Sequence, residues 1–341
     1  MAAAEGVGGA LAAPGEPTPK RQRTGHPLSL AERVAWATSK GDPAIPVFVA
    51  ALTAGCASTR GADKSKAMKA VEGLLTLASE DEQRPWIIAA GALPPLLALL
   101  RSGGVRGRAL AALMLDRLGA CAAACKDVVT DDVASILVSM LRDKHIEARV
   151  NAAGALANLA NAQPFRATIM RAGGVPLLLG LLKGDDPPGK VNAARALCGL
   201  SASLSLCQQI LDAGALPPLV VLLAEGDMNG KQRAAMALHN LAAGDAVKRK
   251  AAVAAAGTLP LLVRLLGSGD PKSEVIAAAT LQQIASEANL CALIVEAEAI
   301  PQLVLVLKNG LRPEGKSAAA EALKSLLTNA AGRATIVTSV S

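Results

Sequence analysis

The residues whose types and spacing could do chemistry are few in this 341-residue chain. GLRPEGKS, Gly310 to Ser317, matches the phosphate-cradling pattern GxxxxGK[ST] letter for letter. In that pattern backbone amides wrap a nucleotide's phosphates and the lysine neutralises them, but the loop must follow a strand of a parallel sheet. Cys121 and Cys125 stand four apart, on one face of a helix. Two thiols do not make a zinc site and no His or Cys pair stands near them, so they read as buried structural thiols. Of the three histidines, His26, His145 and His239, the last lies in ALHNLA and reads as a satisfied helix-surface residue. No GxSxG elbow, HExxH helix or pair of catalytic carboxylates is visible. No catalytic residue, metal ligand or cofactor is therefore assigned, and the expectation is a protein that is not an enzyme. PKRQR, Pro19 to Arg23, has the form of a short nuclear-localisation signal carried by Lys20, Arg21 and Arg23. The same run also reads as a basic patch in a solvated tail.

Composition narrows the classes further. Aromatic residues make up 1% of the chain, which argues against aromatic-lined pockets and base-stacking surfaces. Apolar residues make up 52%, mostly Ala and Leu, enough for a large helical core. The net charge of +7 permits acidic partners but does not call for nucleic acid. Six scattered cysteines without a CxxC pair, and no secretory signal, point to a reduced cytoplasmic or nuclear setting. The longest apolar stretch, Ile87 to Leu100, is too short to span a bilayer and is broken by Gly91, Pro94 and Pro95.

The elements that must position any site come from internal repetition. GALPPLLALL, GGVPLLLGLL, GALPPLVVLL and GTLPLLVRLL begin at Gly91, Gly173, Gly214 and Gly257, with weaker copies at Asp132 and Glu298. Their proline column reads Pro94, Ser135, Pro176, Pro217, Pro260, Pro301, in steps of 41, 41, 41, 43 and 41. An earlier copy around Pro46 lies 48 residues before Pro94, a difference assigned to a linker from Gly55 to Asp63. A second column runs in step with the first: GLLTLA, MLDRLG, ALANLA, ALCGLS, ALHNLA, TLQQIA and ALKSLL. The fourth member of each is Thr76, Arg117, Asn158, Gly199, Asn240, Gln283 and Ser325. Each unit reads as a short helix such as Phe165 to Arg171, a glycine break, and a Leu-rich helix opened by proline. A loop such as Lys183 to Gly189 then leads to an Ala-rich third helix starting near Val191. No unit of this size buries its own apolar face, so the units must stack.

The GA-x-P-x-L-x-x-L-L segment followed by a helix ending in A-L-x-N-L-A resembles the armadillo repeat, over residues 41 to 341. The copies look most like those of plant and algal armadillo proteins, including members attached to U-box ubiquitin ligases. The resemblance implies an all-α, right-handed α-solenoid of about seven three-helix repeats. Residues 1–27 are predicted to be a disordered tail and 28–341 the solenoid, with Leu28 to Ser39 as an amphipathic cap. RATIVTSVS begins an eighth unit, so the expectation is a short capping helix, a longer natural chain, or a partner over that end.

In such proteins the third helices line a concave groove, and the ladder asparagine holds the backbone of an extended peptide through its amide. Positions one and two turns before the ladder share its face. The expected partner-binding line is Arg117, Asn151, Asn158, Asn192, Arg195, Arg233, Met236, Asn240 and Gln283. Import adaptors of the family carry a Trp one turn before the Asn. Here those positions hold Gly154, Arg195, Met236 and Ala279, so a groove for basic signals is not expected. Arg106, Arg117, Arg195 and Arg233 point instead to an extended acidic partner segment. The primary expectation is a non-catalytic interaction scaffold. One alternative is the substrate-binding component of a U-box-type ligase system, its catalytic part in another chain. A second is a nuclear-transport factor.

Overall fold

The computed structural model describes residues 41–119, 131–244 and 246–340. The tail with Lys20, Arg21, Arg23 and His26, the cap Leu28 to Ser39, and Cys121 and Cys125 lie outside the described residues.

Among the described residues there are helices and turns and no strand. Third helices are α2 (Gly61–Leu77), α5 (Val105–Gly119), α7 (Ile146–Leu159), α10 (Pro187–Ser201), α13 (Met228–Ala242), α16 (Pro271–Ala285) and α19 (Pro313–Leu326). They pack on one another in an unbroken row. Second helices are α1 (Ala44–Ala57), α4 (Leu93–Ser102), α6 (Asp131–Met140), α9 (Gly174–Leu182), α12 (Leu216–Glu225), α15 (Leu259–Leu266) and α18 (Ala299–Asn309). First helices are the short α3 (Arg84–Ala89), α8 (Gln163–Arg171), α11 (Leu204–Asp212), α14 (Val247–Val253) and α17 (Cys291–Glu296). The last helix, α20 (Ala330–Val340), packs against α17, α18 and α19. The chain is a solenoid of helical repeats.

The corner between first and second helices is set by backbone chemistry. Four such pairs meet at 86° to 92°. Gly91, Gly173 and Gly214 stand at three of these corners, and Gly257 at the junction of α14 and α15, with φ between 74° and 85°, a left-handed conformation open to glycine at no steric cost. The seventh repeat places Glu298 there instead, at φ 55°. Proline then falls in the second or third position of the next helix, where a missing N–H is free.

Two boundaries differ from the sequence reading. The expected linker from Gly55 to Asp63 is mostly helix, because α1 runs to Ala57 and α2 starts at Gly61. The extra length of the first repeat sits in the helices, 14 residues in α1 against 10 in α4 and 17 in α2 against 15 in α5. The third helix of the fourth repeat begins at Pro187 rather than near Val191. Asp186 explains the earlier start: its carboxylate accepts from the Gly189 amide at 2.6 Å. Asp227 and Asp270 cap α13 and α16 in the same way, accepting from Gly230 N and Ser273 N at 2.7 and 2.8 Å. Each cap satisfies an otherwise orphaned amide of the first turn.

A further column fastens first helices to third helices. Arg84 donates to Ala78 O, Arg166 to Ala160 O, Arg249 to Ala243 O and Arg333 to Leu327 O, each six residues back. Between them in the same register stand Cys207 and Cys291, whose thiols donate to Ser201 O and Ala285 O, again six residues back. Guanidinium or thiol thus satisfies the orphan carbonyls at the C-terminal end of the preceding third helix, where a cation is also favoured by the helix dipole. From Arg166 to Arg333, Arg and Cys alternate down this column, a two-repeat periodicity over the one-repeat frame.

Candidate functional site

The third-helix face is built by amide side chains that reach from each repeat to the one before. Asn158 Nδ2 donates to the Asp116 carbonyl and, at 2.8 Å, to Asp116 Oδ1. Asn240 Nδ2 donates to Cys198 O at 3.0 Å. Two turns earlier, Asn151 Nδ2 donates to Ala109 O at 3.1 Å and Asn192 Nδ2 to Val150 O at 3.0 Å. Every one of these bonds to backbone spans 42 residues. A helical carbonyl keeps one lone pair beyond its own helix bond, and the asparagine amide takes it. The expected peptide-holding amides are therefore already engaged through nitrogen. Their carbonyl oxygens have no donor among the described residues and remain open as acceptors.

Asp116 is the hub of this face, and the sequence reading missed it. Its Oδ1 accepts from Asn158 Nδ2 and also, at 2.6 Å, from Arg195 Nη2. Arg195 Nη2 reaches Gly154 O at 3.1 Å as well. One carboxylate thus clasps α5, α7 and α10 together. Gly154 makes room for the clasp, since a Cβ there would lie 2.9 Å from Asp116 Cγ and 3.1 Å from Asn192 Nδ2. No sequence signal marks the pair, because Arg195 and Asp116 are 79 residues apart and belong to different columns.

The expected basic line is consequently divided. Arg195, expected to offer its charge outward, spends it on Asp116. Arg106 pairs with Glu72 at 2.6 Å. Arg117 is exposed, Arg233 is half-buried, and neither makes an ion pair or side-chain hydrogen bond among the described residues. Arg233 lies close enough to Cys198 to favour its thiolate, but burial prevails and pushes that thiol up to about 11. Met236 and Gln283 are half-buried on the same face, and the Gln283 side chain is unengaged among the described residues.

His239 departs from its expected role. It is half-buried, and its Nδ1 is shut off from water with no partner among the described residues. Burial holds its pKa below 6.5, partly countered by the nearby Ala279 backbone. Lys250 was not singled out from sequence either. It is buried on α14, where Nζ donates to Ser286 Oγ at 2.8 Å and Glu287 Oε1 at 2.7 Å. The GLRPEGKS segment joins α18 to α19, so it follows a helix and its second half is helical. The strand that a phosphate-binding loop requires is not there. The described residues bring no three His, Cys, Asp or Glu side chains together as a metal site, and no single described helix is long and apolar enough to cross a membrane.

Comparison with known proteins agrees with this architecture. The armadillo/beta-catenin-like repeat profile matches residues 163–202 and 206–243, which are the fourth and fifth units. An engineered protein of known structure is 31% identical, with a TM-score of 0.76 over 91% of this chain and 77% of that one. The chain belongs to the armadillo-repeat family. A designed armadillo repeat protein is 27% identical, with a TM-score of 0.64 over 69% of this chain and 99% of its own. Computationally designed armadillo repeat proteins for modular peptide recognition give 26% identity and a TM-score of 0.63, covering 68% and 99% of the two chains. No curated protein sequence matches the chain. In armadillo terms, Asn158 and Asn240 are ladder residues, and both are tied to the repeat before them.

Proposed function

We propose that this chain is a non-catalytic scaffold whose third-helix face binds an extended, acidic segment of a partner protein. The observation that carries the reading is the state of the two arginines. Arg117 and Arg233 share the ladder face, and each lacks an internal counter-charge among the described residues, whereas Arg106 and Arg195 are paired. The open acceptors of Asn158 and Asn240 would take peptide N–H groups, and the arginines would set direction and partner charge. The designed armadillo proteins built for peptide recognition, 26% identical, support the use of this face for an extended chain.

The test is a displayed library of random twelve-residue peptides selected on the full chain and on an Arg117→Glu/Arg233→Glu variant. Neither arginine holds the fold together, so circular dichroism should match between the two. The native chain should enrich Asp- and Glu-rich peptides and the variant should lose that enrichment. Identical enrichment on both, or none on either, removes the reading.

A further inference from the structure

A hollow of about 370 Å³ opens between α13, α16 and α19. Its lining includes Arg233, Lys272, Arg312 and Glu314, over the half-buried Met236, Val275 and Ile276. Gln232, also on its wall, is committed to Asp270 Oδ2 at 2.8 Å and Ser273 Oγ at 3.2 Å. Arg233, Lys272 and Arg312 come from three successive repeats, and none of them makes an ion pair among the described residues. With Glu314 the four charges sum to about +2 in one concavity, a matter of counting ionised side chains at neutral pH.

The source of the excess is visible in the repeat frame. The column that holds the capping carboxylates Asp186, Asp227 and Asp270 holds Arg312 in the seventh repeat. The seventh repeat thus holds a base where the three repeats before it hold an acid. Asp270 lies outside the lining, held by the Ser273 amide and by Gln232, and even with its negative charge counted the cations remain in excess by about one. Its own pKa is held low mainly by the Ser273 amide and hydroxyl.

We propose that this hollow receives a phosphorylated serine or threonine side chain of the segment bound along the third-helix face. This rests on the groove reading and names a ligand within it. The chemistry favours a phosphoryl group over a single carboxylate. A phosphate monoester carries roughly −1.5 to −2 at neutral pH and three acceptor oxygens, one for each of the three cations. Two of the three cations are guanidinium groups, whose forked donors suit tetrahedral oxyanions. The half-buried Met236, Val275 and Ile276 reduce competing water around the pair, which strengthens the charged bonds.

The decisive experiment uses fluorescein-labelled peptides read by anisotropy. They are acidic twelve-residue sequences drawn from those the groove selects, each made with a serine, a phosphoserine or a glutamate at successive positions. The proteins are the full chain and a Lys272→Glu/Arg312→Glu variant, which leaves Arg117, Arg233 and the ladder untouched. At one position the phosphoserine form should bind the native chain about tenfold more tightly than the serine form, the scale of one added charged hydrogen bond. Glutamate there should recover only part of the gain, and the variant should lose the gain while still binding the serine form. Inorganic phosphate at millimolar concentration should compete with the phosphoserine form and leave the serine form bound. Equal affinity for serine and phosphoserine forms at every position, or a gain that survives in the variant, overturns the phosphate site while the groove reading stands. If no acidic peptide binds in any form, both fall together.

Discussion

Replacing Gly154 by Ala separates two physical effects of opposite sign. Gly154 lies inside α7, where Ala is favoured over Gly by about 1 kcal/mol from backbone entropy alone. The structure sets a larger cost against that gain. The new Cβ would meet Asp116 Cγ at 2.9 Å, Asp116 Oδ1 at 3.0 Å and Asn192 Nδ2 at 3.1 Å. Asp116 cannot step aside cheaply, since Oδ1 holds both Asn158 and Arg195. A hydrogen bond to a charged group contributes about 1.5–3 kcal/mol. Losing one outweighs the helix gain, and loosening two gives a net destabilisation of roughly 1–3 kcal/mol. Gly180 in α9 is the control, because it is exposed and a Cβ there meets nothing within 4 Å. Gly180→Ala should stabilise by about 0.5–1 kcal/mol. Urea unfolding followed by circular dichroism gives the two signs, and amide hydrogen exchange shows where protection is lost, as repeat arrays need not unfold in one step. Faster exchange should be confined to α5, α7 and α10. If Gly154→Ala stabilises the chain as Gly180→Ala does, the three-helix clasp is not a rigid element and its assignment fails.

Three other perturbations follow from single sites. Glu298→Gly relieves a non-glycine residue at φ 55° and should stabilise by about 1 kcal/mol in urea titrations, provided the corner is as fixed as the glycine corners of the other repeats. Lys250→Ala leaves Glu287 facing a buried site without its partner and should cost about 3 kcal/mol, whereas Lys250→Met with Glu287→Leu should recover much of it; equal costs would show the ion pair to be idle. His239 titrates lower in the folded chain than unfolded, so the unfolded state binds the extra proton first. Stability from keeping it neutral is complete above pH 6.5 and falls as pH drops through the lowered folded value; His239→Gln should flatten this part of a stability-versus-pH curve, and an unchanged slope would place the dependence elsewhere.

The repeat frame was legible in sequence because it rests on local rules written several times over. Glycine at a left-handed corner, proline in the following turn and Ala or Leu at helical spacing each repeat at about 41 residues, and any one copy confirms the others. The ladder face was legible as a set of positions, since i, i−4 and i−7 on one helix must share a side. What those positions do was not legible. Whether Asn158 offers its amide to a peptide or to Asp116 depends on the offset between stacked helices, which no single helix encodes. The pairing of Arg195 with Asp116 skips a whole repeat. The Arg and Cys capping column was present in the sequence at the same spacing, but guanidinium and thiol look unrelated until both are seen donating to the carbonyl six residues back.

That double engagement decides how the face must be interrogated. An Asn158→Ala/Asn240→Ala variant removes possible acceptors for a ligand, but it also cuts the bonds to Asp116 and Cys198 that bind repeat to repeat. Weaker binding by that variant could come from a looser solenoid, because stability in a stacked array is a sum of neighbour interfaces. The two asparagines are also unequal. Asn158 gives two bonds, one of them to a carboxylate, and Asn240 gives one to a carbonyl with a long contact to the Cys198 thiol. Asn158→Ala should therefore lower stability by about 1 kcal/mol more than Asn240→Ala. A ligand that relies on both acceptors equally would lose affinity equally in the two variants. Affinity losses that follow the stability difference would report on the scaffold, and equal losses despite unequal stability would report on the ligand. Arg117 and Arg233 carry no such double duty, so charge reversal there reads the partner directly.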